Sequence, residues 1–398
     1  MWVRRRLDIQ WSDLAFGLWR CFFPGESRRE AIERCWNAPA LVTLSVRTGF
    51  DLCLQALELP KGSEVLMSAV NVPAMFRLVE EHGLVPVPLD IDAASLRPTV
   101  EDVRQAITPR TRAIVVAHLF GTRVDLGDVA ALARERGLVL IEDHAQAFSG
   151  ISDAASVGAD LALWSFGPIK AATALGGAIA VARDPRLIGR MRVIESGYPV
   201  QPWTHYVLRL LKYATLKAAS YRFPFGVLVR ALSWVGDYDA WLNARVRSFE
   251  DAGLVRALRH RPRGSLLALL ERRLRDFDVA GVARRRRRGL EFERMIRGYA
   301  CVPGAAAAWR GFDLFPVRVA NTARLLAALR RHGFDAGTRG NLVVLDAENG
   351  VGPASARELL EDTVFIPFYA AMPDRELRRL AHLIKANHGS RQARPTTT

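Results

Sequence analysis

The 398-residue chain is poor in cysteine, in acidic charge and in long apolar runs. Its four cysteines, Cys21, Cys35, Cys53 and Cys301, are scattered and form no C-x-x-C pair. That argues against a disulfide scaffold or a zinc site and for a reducing, cytoplasmic setting; no metal-ligand set is expected. No apolar stretch approaches the ~20 residues that a membrane-spanning helix needs. The opening, MWVRRRLDIQWSDLAFGLWRCFFPG, has basic residues followed by apolar ones. Asp8, Asp13 and Arg20 interrupt the apolar part and no A-x-A cleavage site follows, so a secretory leader is not expected. Acid is scarce: Lys+Arg outnumber Asp+Glu 56 to 41, a net charge of +15, and residues 196–236 contain no Asp or Glu at all. An arginine-preferring genome gives such an excess, and so does a protein whose partners are anionic: phosphate esters, nucleotides or acidic lipid headgroups. Nucleic acid is not expected, because the aromatics interleave with long aliphatics and form no polar stacking face.

What is present is a large apolar fraction, 50% of residues, enough for a sizeable core. From about residue 37 to 183 the pattern alternates between strand and helix. EVLMSAV (64–70), RAIVVAHLF (112–120), GLVLIED (137–143) and DLALWSF (160–166) are strand-like runs. Between them, PAMFRLVEEHG (73–83) has Pro first and Gly last, and DLGDVAALARERG (125–137) puts Leu126, Val129, Ala130 and Ala133 on one face before Gly137. Near-continuous apolar strands alternating with helices imply an α/β fold, a mostly parallel sheet with helices on both faces. An arm with a basic aromatic helix is expected over 1–36, a large domain over 37–197, and a basic aromatic helical insert over 198–262. A connecting helix and a smaller α/β domain should fill 263–389, with a strand at 314–319 and helices at 321–333 and 372–389. The tail 390–398 is expected to be disordered.

One lysine stands apart in WSFGPIKAATALGGA (164–178). A strand ends just before it and Gly167-Pro168 turns the chain, so Lys170 sits at the carboxyl end of a strand, where open α/β sheets bind ligands. An amine in such a dry setting has a depressed pKa and becomes a nucleophile able to form a Schiff base. Taken alone, a loop lysine is the commoner case. The strand of LIEDHAQAF (140–148) stops at Glu142-Asp143, so a second functional group lies on the same edge; taken alone, it is a helix cap. SVRTGFDLCLQAL (45–57) opens a helix with small and hydroxyl residues, and a helix amino terminus is a ready phosphate site. A carboxylate and a Schiff-base lysine facing one ring are what pyridoxal phosphate requires.

Together these segments resemble the DegT/DnrJ/StrS-type sugar aminotransferases, fold-type-I enzymes dependent on pyridoxal 5'-phosphate. ITPRTRAIVVAHLFG, IEDHAQ and SFGPIK carry the resemblance, which runs almost unbroken from about 40 to 185 and resumes more weakly at 312–385. It implies that Lys170 carries the cofactor as a Schiff base and shuttles a proton, and that Asp143 pairs with the ring nitrogen. Gln146 would bond the phenolic oxygen, while Ser165, Thr48 and Arg47 would hold the phosphate. The family places an aromatic over the ring where this chain has AVNV (69–72), leaving Val72 as the cover. The family segment that reaches into the partner's site is not recognisable; Arg261 and Arg263 stand near its place. His144 is expected to be a packing residue.

The resemblance implies a homodimer that moves an amino group, with glutamate as donor, to a keto sugar linked to a nucleotide or lipid. That chemistry would serve cell-surface polysaccharide, glycolipid or secondary-metabolite biosynthesis. A dehydratase or lyase, and a catalytically degenerate relative associated with membranes, are the competing classes. Lysine at 170 favours transamination, since relatives with histidine there dehydrate. Residues 203–247 combine cations with aromatics and are expected either to touch the anionic inner membrane face or to form a dimer core. In the first helix of that segment Tyr206, Val207, Leu210, Leu211, Ala214 and Ala218 fall near helical spacing.

Overall fold

The computed structural model describes residues 1–4, 6–23, 25, 28–151, 158–232, 253–347 and 352–389. Two helices open the chain, α1 (Trp11–Phe22) and α2 (Arg29–Arg34). The strands that follow are β1 (Ala40–Thr43), β2 (Glu64–Ser68), β3 (Val70–Asn71), β4 (Val85–Leu89), β5 (Thr111–Ala117), β6 (Thr122–Arg123), β7 (Val139–Asp143), β8 (Leu161–Ser165) and β9 (Ala178–Ala182). Between them lie α3 (Val46–Leu57), α4 (Pro73–Glu81), α5 (Val100–Ala106) and α6 (Gly127–Glu135). Seven strands form one sheet in the order β1-β9-β8-β7-β5-β2-β4. Only β9 runs against the others, pairing antiparallel with β1 and β8. The parallel pairs need crossovers, and the helices that supply them cover both faces.

Alternation along each strand sorts the core. Val65, Met67, Val115, Ile141 and Leu163 pack under α3 and α4, whereas Leu66, Ile114, Val116 and Leu140 pack under α5 and α6. Both faces are dry, which is why these strands read as unbroken apolar runs. Local chemistry sets the helix ends. Ser45 accepts the Thr48 N–H at 3.2 Å to start α3, Pro73 occupies the first turn of α4, and Gly137 closes the turn after α6 with φ of 64°.

Helix α7 (Pro185–Ser196) leads into α8 (Trp203–Ala219) and α9 (Arg222–Leu232), then α10 (Leu254–Leu258), α11 (Gly264–Arg275) and α12 (Val279–Ile296). The single helical segment expected over 263–296 is therefore two helices. Asp278 breaks it by accepting the Gly281 N–H at 2.7 Å and starting α12. A third core joins α1, α8 and α11 to the sheet around Phe148, Trp164 and Phe166. Residues 233–252, which include part of the expected insert, lie outside the described residues.

The carboxyl-terminal part holds β10 (Trp309–Arg310), β11 (Phe315–Arg318), α13 (Thr322–Arg331), β12 (Val343–Val344), α14 (Ala354–Glu361), β13 (Thr363–Ile366) and α15 (Asp374–Asn387). Asn321 caps α13 through the Arg324 N–H at 2.9 Å. A fourth core around Phe292, Phe315, Phe334 and Leu380 belongs to this unit, with β11 antiparallel to β13. Strand pairs β12–β3 and β10–β6 tie it to the edge of the large sheet where the site lies.

Candidate active site

Two neighbouring strand ends and the loop that follows them build the candidate site. Asp143 is the last residue of β7, and Ser165 is the last residue of β8, beside it in the sheet. From Ser165 the chain turns at Gly167, whose carbonyl accepts the Lys170 N–H at 3.1 Å, so the lysine stands over the same edge. The lysine loop is pinned from several sides. The Thr173 hydroxyl donates to the Gly167 carbonyl at 2.6 Å, and the Ala172 N–H donates to the Asp8 carboxylate at 3.0 Å. Arg273 then holds Asp8, through Nη2 at 3.1 Å, and the Thr173 carbonyl, through Nε at 3.2 Å. Ala172 and Leu175 sit at φ of 51° and 61°, a left-handed backbone that non-glycine residues avoid unless such contacts impose it.

Asp143 is buried, and burial pushes its carboxyl above the usual carboxylate range. The Ala145 N–H, the Lys170 ammonium, His118 and the Asn71 side chain pull the other way. The lysine and the acid are therefore within electrostatic reach of each other. Asn71 is a site residue that sequence reasoning did not single out. Its Oδ1 accepts the Val72 N–H at 2.8 Å, which leaves its NH2 group for Asp143. It lay in the AVNV run, read only as a missing aromatic. Lys170 also pulls on Asp313, whose carboxyl burial raises and Arg285 lowers. Asp8 and Asp313 carry no local pattern that marks them, because both arrive through tertiary packing.

The remaining expected residues are placed as follows. Gln146 accepts the Phe120 N–H at 3.1 Å through Oε1. Ser165 Oγ accepts the Gly167 N–H at 3.4 Å. The Thr48 hydroxyl is fully buried and donates to the Leu258 carbonyl at 3.0 Å while contacting Ser45 Oγ at 3.0 Å. Arg47 is driven down to about 10 by burial and by the neighbouring Arg209. Arg209 comes from α8 and donates to the Leu175 carbonyl at 3.2 Å. It was expected as part of a basic helix rather than of the site. Val72 caps α4 and is half-buried. Arg261 and Arg263 donate to the carbonyls of Tyr198 and Gln201 at 2.9 Å and 3.4 Å.

His144 is buried and stacks on Trp164 at 4.8 Å and on His118 at 3.8 Å. Both histidines direct Nε2 at one oxygen of Glu142, at 3.1 Å and 2.7 Å. The rings are 12° from parallel, so no single ion can lie in the plane of both, as imidazole ligation demands. The trio is a hydrogen-bonded cluster packed behind the site.

Residues 30–214 match the sequence profile described as the DegT/DnrJ/EryC1/StrS aminotransferase family. This segment belongs to that family. Two curated relatives are similar to part of the chain. One is a dTDP-4-dehydro-2,3,6-trideoxy-D-glucose 4-aminotransferase of Saccharopolyspora spinosa, 36% identical over 35% of this chain and 37% of that protein. The other is the erythromycin biosynthesis sensory transduction protein EryC1 of Saccharopolyspora erythraea, 37% identical over 44% of this chain and 48% of that protein. The chain thus spans less than half the length of the curated relatives it matches. The crystal structure of the aminotransferase TlmJ from Streptoalloteichus hindustanus shares the fold, with a TM-score of 0.72 and 21% identity over 97% of this chain and 98% of that one.

The residues present fit the family's cofactor. A buried carboxyl raised by burial, with no arginine bonded to it among the described residues, is matched to a cationic partner such as a protonated pyridine nitrogen. Arg47, Arg209 and the amino terminus of α3 gather positive potential where an anion would sit.

Proposed function

We propose that the chain is a pyridoxal-phosphate-dependent aminotransferase that moves an amino group from glutamate to a keto sugar carried on a phosphate-linked handle, as a homodimer. The observation that carries this reading is the buried Asp143 carboxyl within electrostatic reach of the Lys170 amine, on neighbouring strand ends. When bound, the cofactor supplies an electron sink and stores the amino group between two half-reactions. Asp143 would hold the ring nitrogen protonated, and Asn71 would orient Asp143. The carbonyl of Gln146 is occupied by the Phe120 N–H, so its NH2 is the end left to donate to the phenolic oxygen. Ser165 and Arg47 would bind the phosphate. Lys170 would hold the cofactor and then move the proton, and the anchored loop keeps its amine in place.

A cleft of about 370 Å³ that includes Ser149, six residues after Asp143, supports a phosphate-bearing substrate. It runs from Ser149 to α12 and is lined by three arginines, Arg286, Arg287 and Arg294, against one acid, Glu291, with Trp309 beside them. Neighbours in the arginine run are already paired, Arg284 with Asp278, Arg285 with Asp313 and Arg288 with Asp374. Among the described residues no carboxylate pairs with Arg286, Arg287 or Arg294, and unpaired guanidinium groups beside an indole suit a diphosphate bearing a flat ring.

The test is spectroscopic. Reconstituted protein should show a visible band that glutamate bleaches, and borohydride reduction should fix the cofactor's mass on the peptide containing Lys170. Lys170→Ala should lose both signals. A label on another lysine, or a band that glutamate leaves untouched, overturns the aminotransferase reading.

A further inference from the structure

The apolar stripe expected on the first insert helix does not face inward as a unit. Of its members, Tyr206 and Leu210 are buried against the body but Leu211 is 48% exposed; outside the stripe, Tyr213 is buried and Leu208 is 64% exposed. The helix packs along α1, and aromatic contacts tie the two together at both ends. Phe22 meets Trp203 edge-on at 5.8 Å, and the Trp11 indole N–H donates to the Tyr221 hydroxyl at 2.9 Å. On α1 the residues Trp11, Trp19 and Phe22, spaced about two and three helical turns apart, are themselves 46%, 51% and 56% exposed. Two antiparallel helices thus turn one aromatic and aliphatic surface to solvent, and it continues to Phe223, which is 83% exposed. Patches of this kind mark interaction sites.

Cations dominate the charge on this face; the partly exposed Asp8, near Lys217, is held by Arg273. Arg20 lies over the Trp19 ring at 5.6 Å and Lys217 over the Trp11 ring at 5.9 Å. Lys212 is exposed on α8. The one acid of α1, Asp13, is buried and turned inward, where Arg272 and Arg273 each bind it at 2.9 Å. The whole of 196–236 adds none. A second copy would oppose like charge with like charge across such a face. Indole and phenyl side chains at the level of lysine and arginine match the headgroup zone of an anionic bilayer instead, where rings enter the acyl boundary and cations meet phosphates. No helix among the described residues is long and apolar enough to cross a membrane.

We infer that the face formed by α1 and α8 docks this protein flat on an anionic lipid surface. The inference does not depend on the catalytic reading, and its test does not use turnover. Full-length protein is floated with vesicles of phosphatidylglycerol and phosphatidylcholine in equal parts, and with phosphatidylcholine alone. Flotation is expected with the first only, together with a blue shift of tryptophan emission. Trp19→Ser with Phe22→Ser should weaken vesicle binding roughly tenfold or more. Arg20→Glu with Lys212→Glu, which leaves the apolar face intact, should weaken it as well. Far-ultraviolet circular dichroism checks that each variant folds. Absence of flotation, binding unchanged in both variants, or a dimer that the first pair converts to monomer without any vesicle binding would each overturn the inference.

Discussion

At the scale of single residues, the cluster behind the site shows how burial decides ionisation. His118 Nδ1 accepts the Val124 N–H at 3.1 Å, and its Nε2 faces Glu142 at 3.1 Å. Burial opposes charge on Glu142, but the hydrogen bonds from His118 and His144 outweigh it and hold the carboxyl far below the usual range. Burial and His118 together pull His144 down to about 4. The unfolded histidine titrates near ~6.5. Between these values the unfolded chain binds a proton that the folded chain refuses, so stability falls as pH is lowered through the window, by on the order of 1.4 kcal/mol per pH unit. His144→Phe keeps a flat ring against Trp164 and removes the titration. Urea midpoints measured at pH 7 and pH 5 should diverge in the parent chain and converge in the variant. Of the candidate site, the positions of Asp143 and Ser165 were legible because a strand that ends marks its own last residue, and that of Lys170 because Gly167-Pro168 turns the chain just before it. Asn71 was not, because its role depends on β12 pairing with it across the small unit.

At the scale of elements, the lysine loop is held by a segment far away in sequence. Asp8 receives the Ala172 N–H, and the arm that carries Asp8 is fixed to α11 by the pairing of Asp13 with Arg272 and Arg273. The arm was expected as a separate basic helix, and its service to the loop is a product of packing. Asp8→Ala removes the carboxylate that holds both the Ala172 N–H and Arg273; the bond to the loop alone is worth about 1.5 kcal/mol, and its loss frees a strained backbone. Cofactor affinity, titrated by visible absorbance, should fall about tenfold while the visible band itself is retained. The helices of the large domain were readable from apolar spacing and Gly/Pro punctuation. The break between α11 and α12 was missed because arginine and leucine run on past it. One capping aspartate, Asp278, outweighs that propensity.

For the whole molecule, Asp51 is the hub that joins the sheet domain to the chain emerging from 253 onward. Its side chain is fully buried and collects His82 at 2.9 Å, Gln55 at 2.8 Å and both arms of Arg259 at 3.1 Å. Burial pushes this carboxyl up, but the bonds from His82 and Arg259 win and hold it below the usual value. A depressed folded value means that its contribution is complete above the unfolded pKa of ~3.9 and is lost as pH falls through the folded one. Arg259→Ala strands a buried carboxylate and should cost about 2 kcal/mol, discounted because the arginine is partly exposed. Acid unfolding, followed by circular dichroism, should move to higher pH in this variant.

The sequence by itself determined the α/β alternation, the parallel sheet and the strand ends beside which the candidate pair stands, since each follows from a local period or a local stop. Tertiary structure alone decided which distant residues serve that pair and which helical stripe is left facing outward. Asn71, Asp8 and Arg209 reach the site by contacts between segments far apart in the chain. Leu208 and Leu211 are exposed because α1 covers one side of α8 and no described residue covers the other. A local pattern fixes which residues share a face; only the arrangement of the rest of the chain fixes what that face meets.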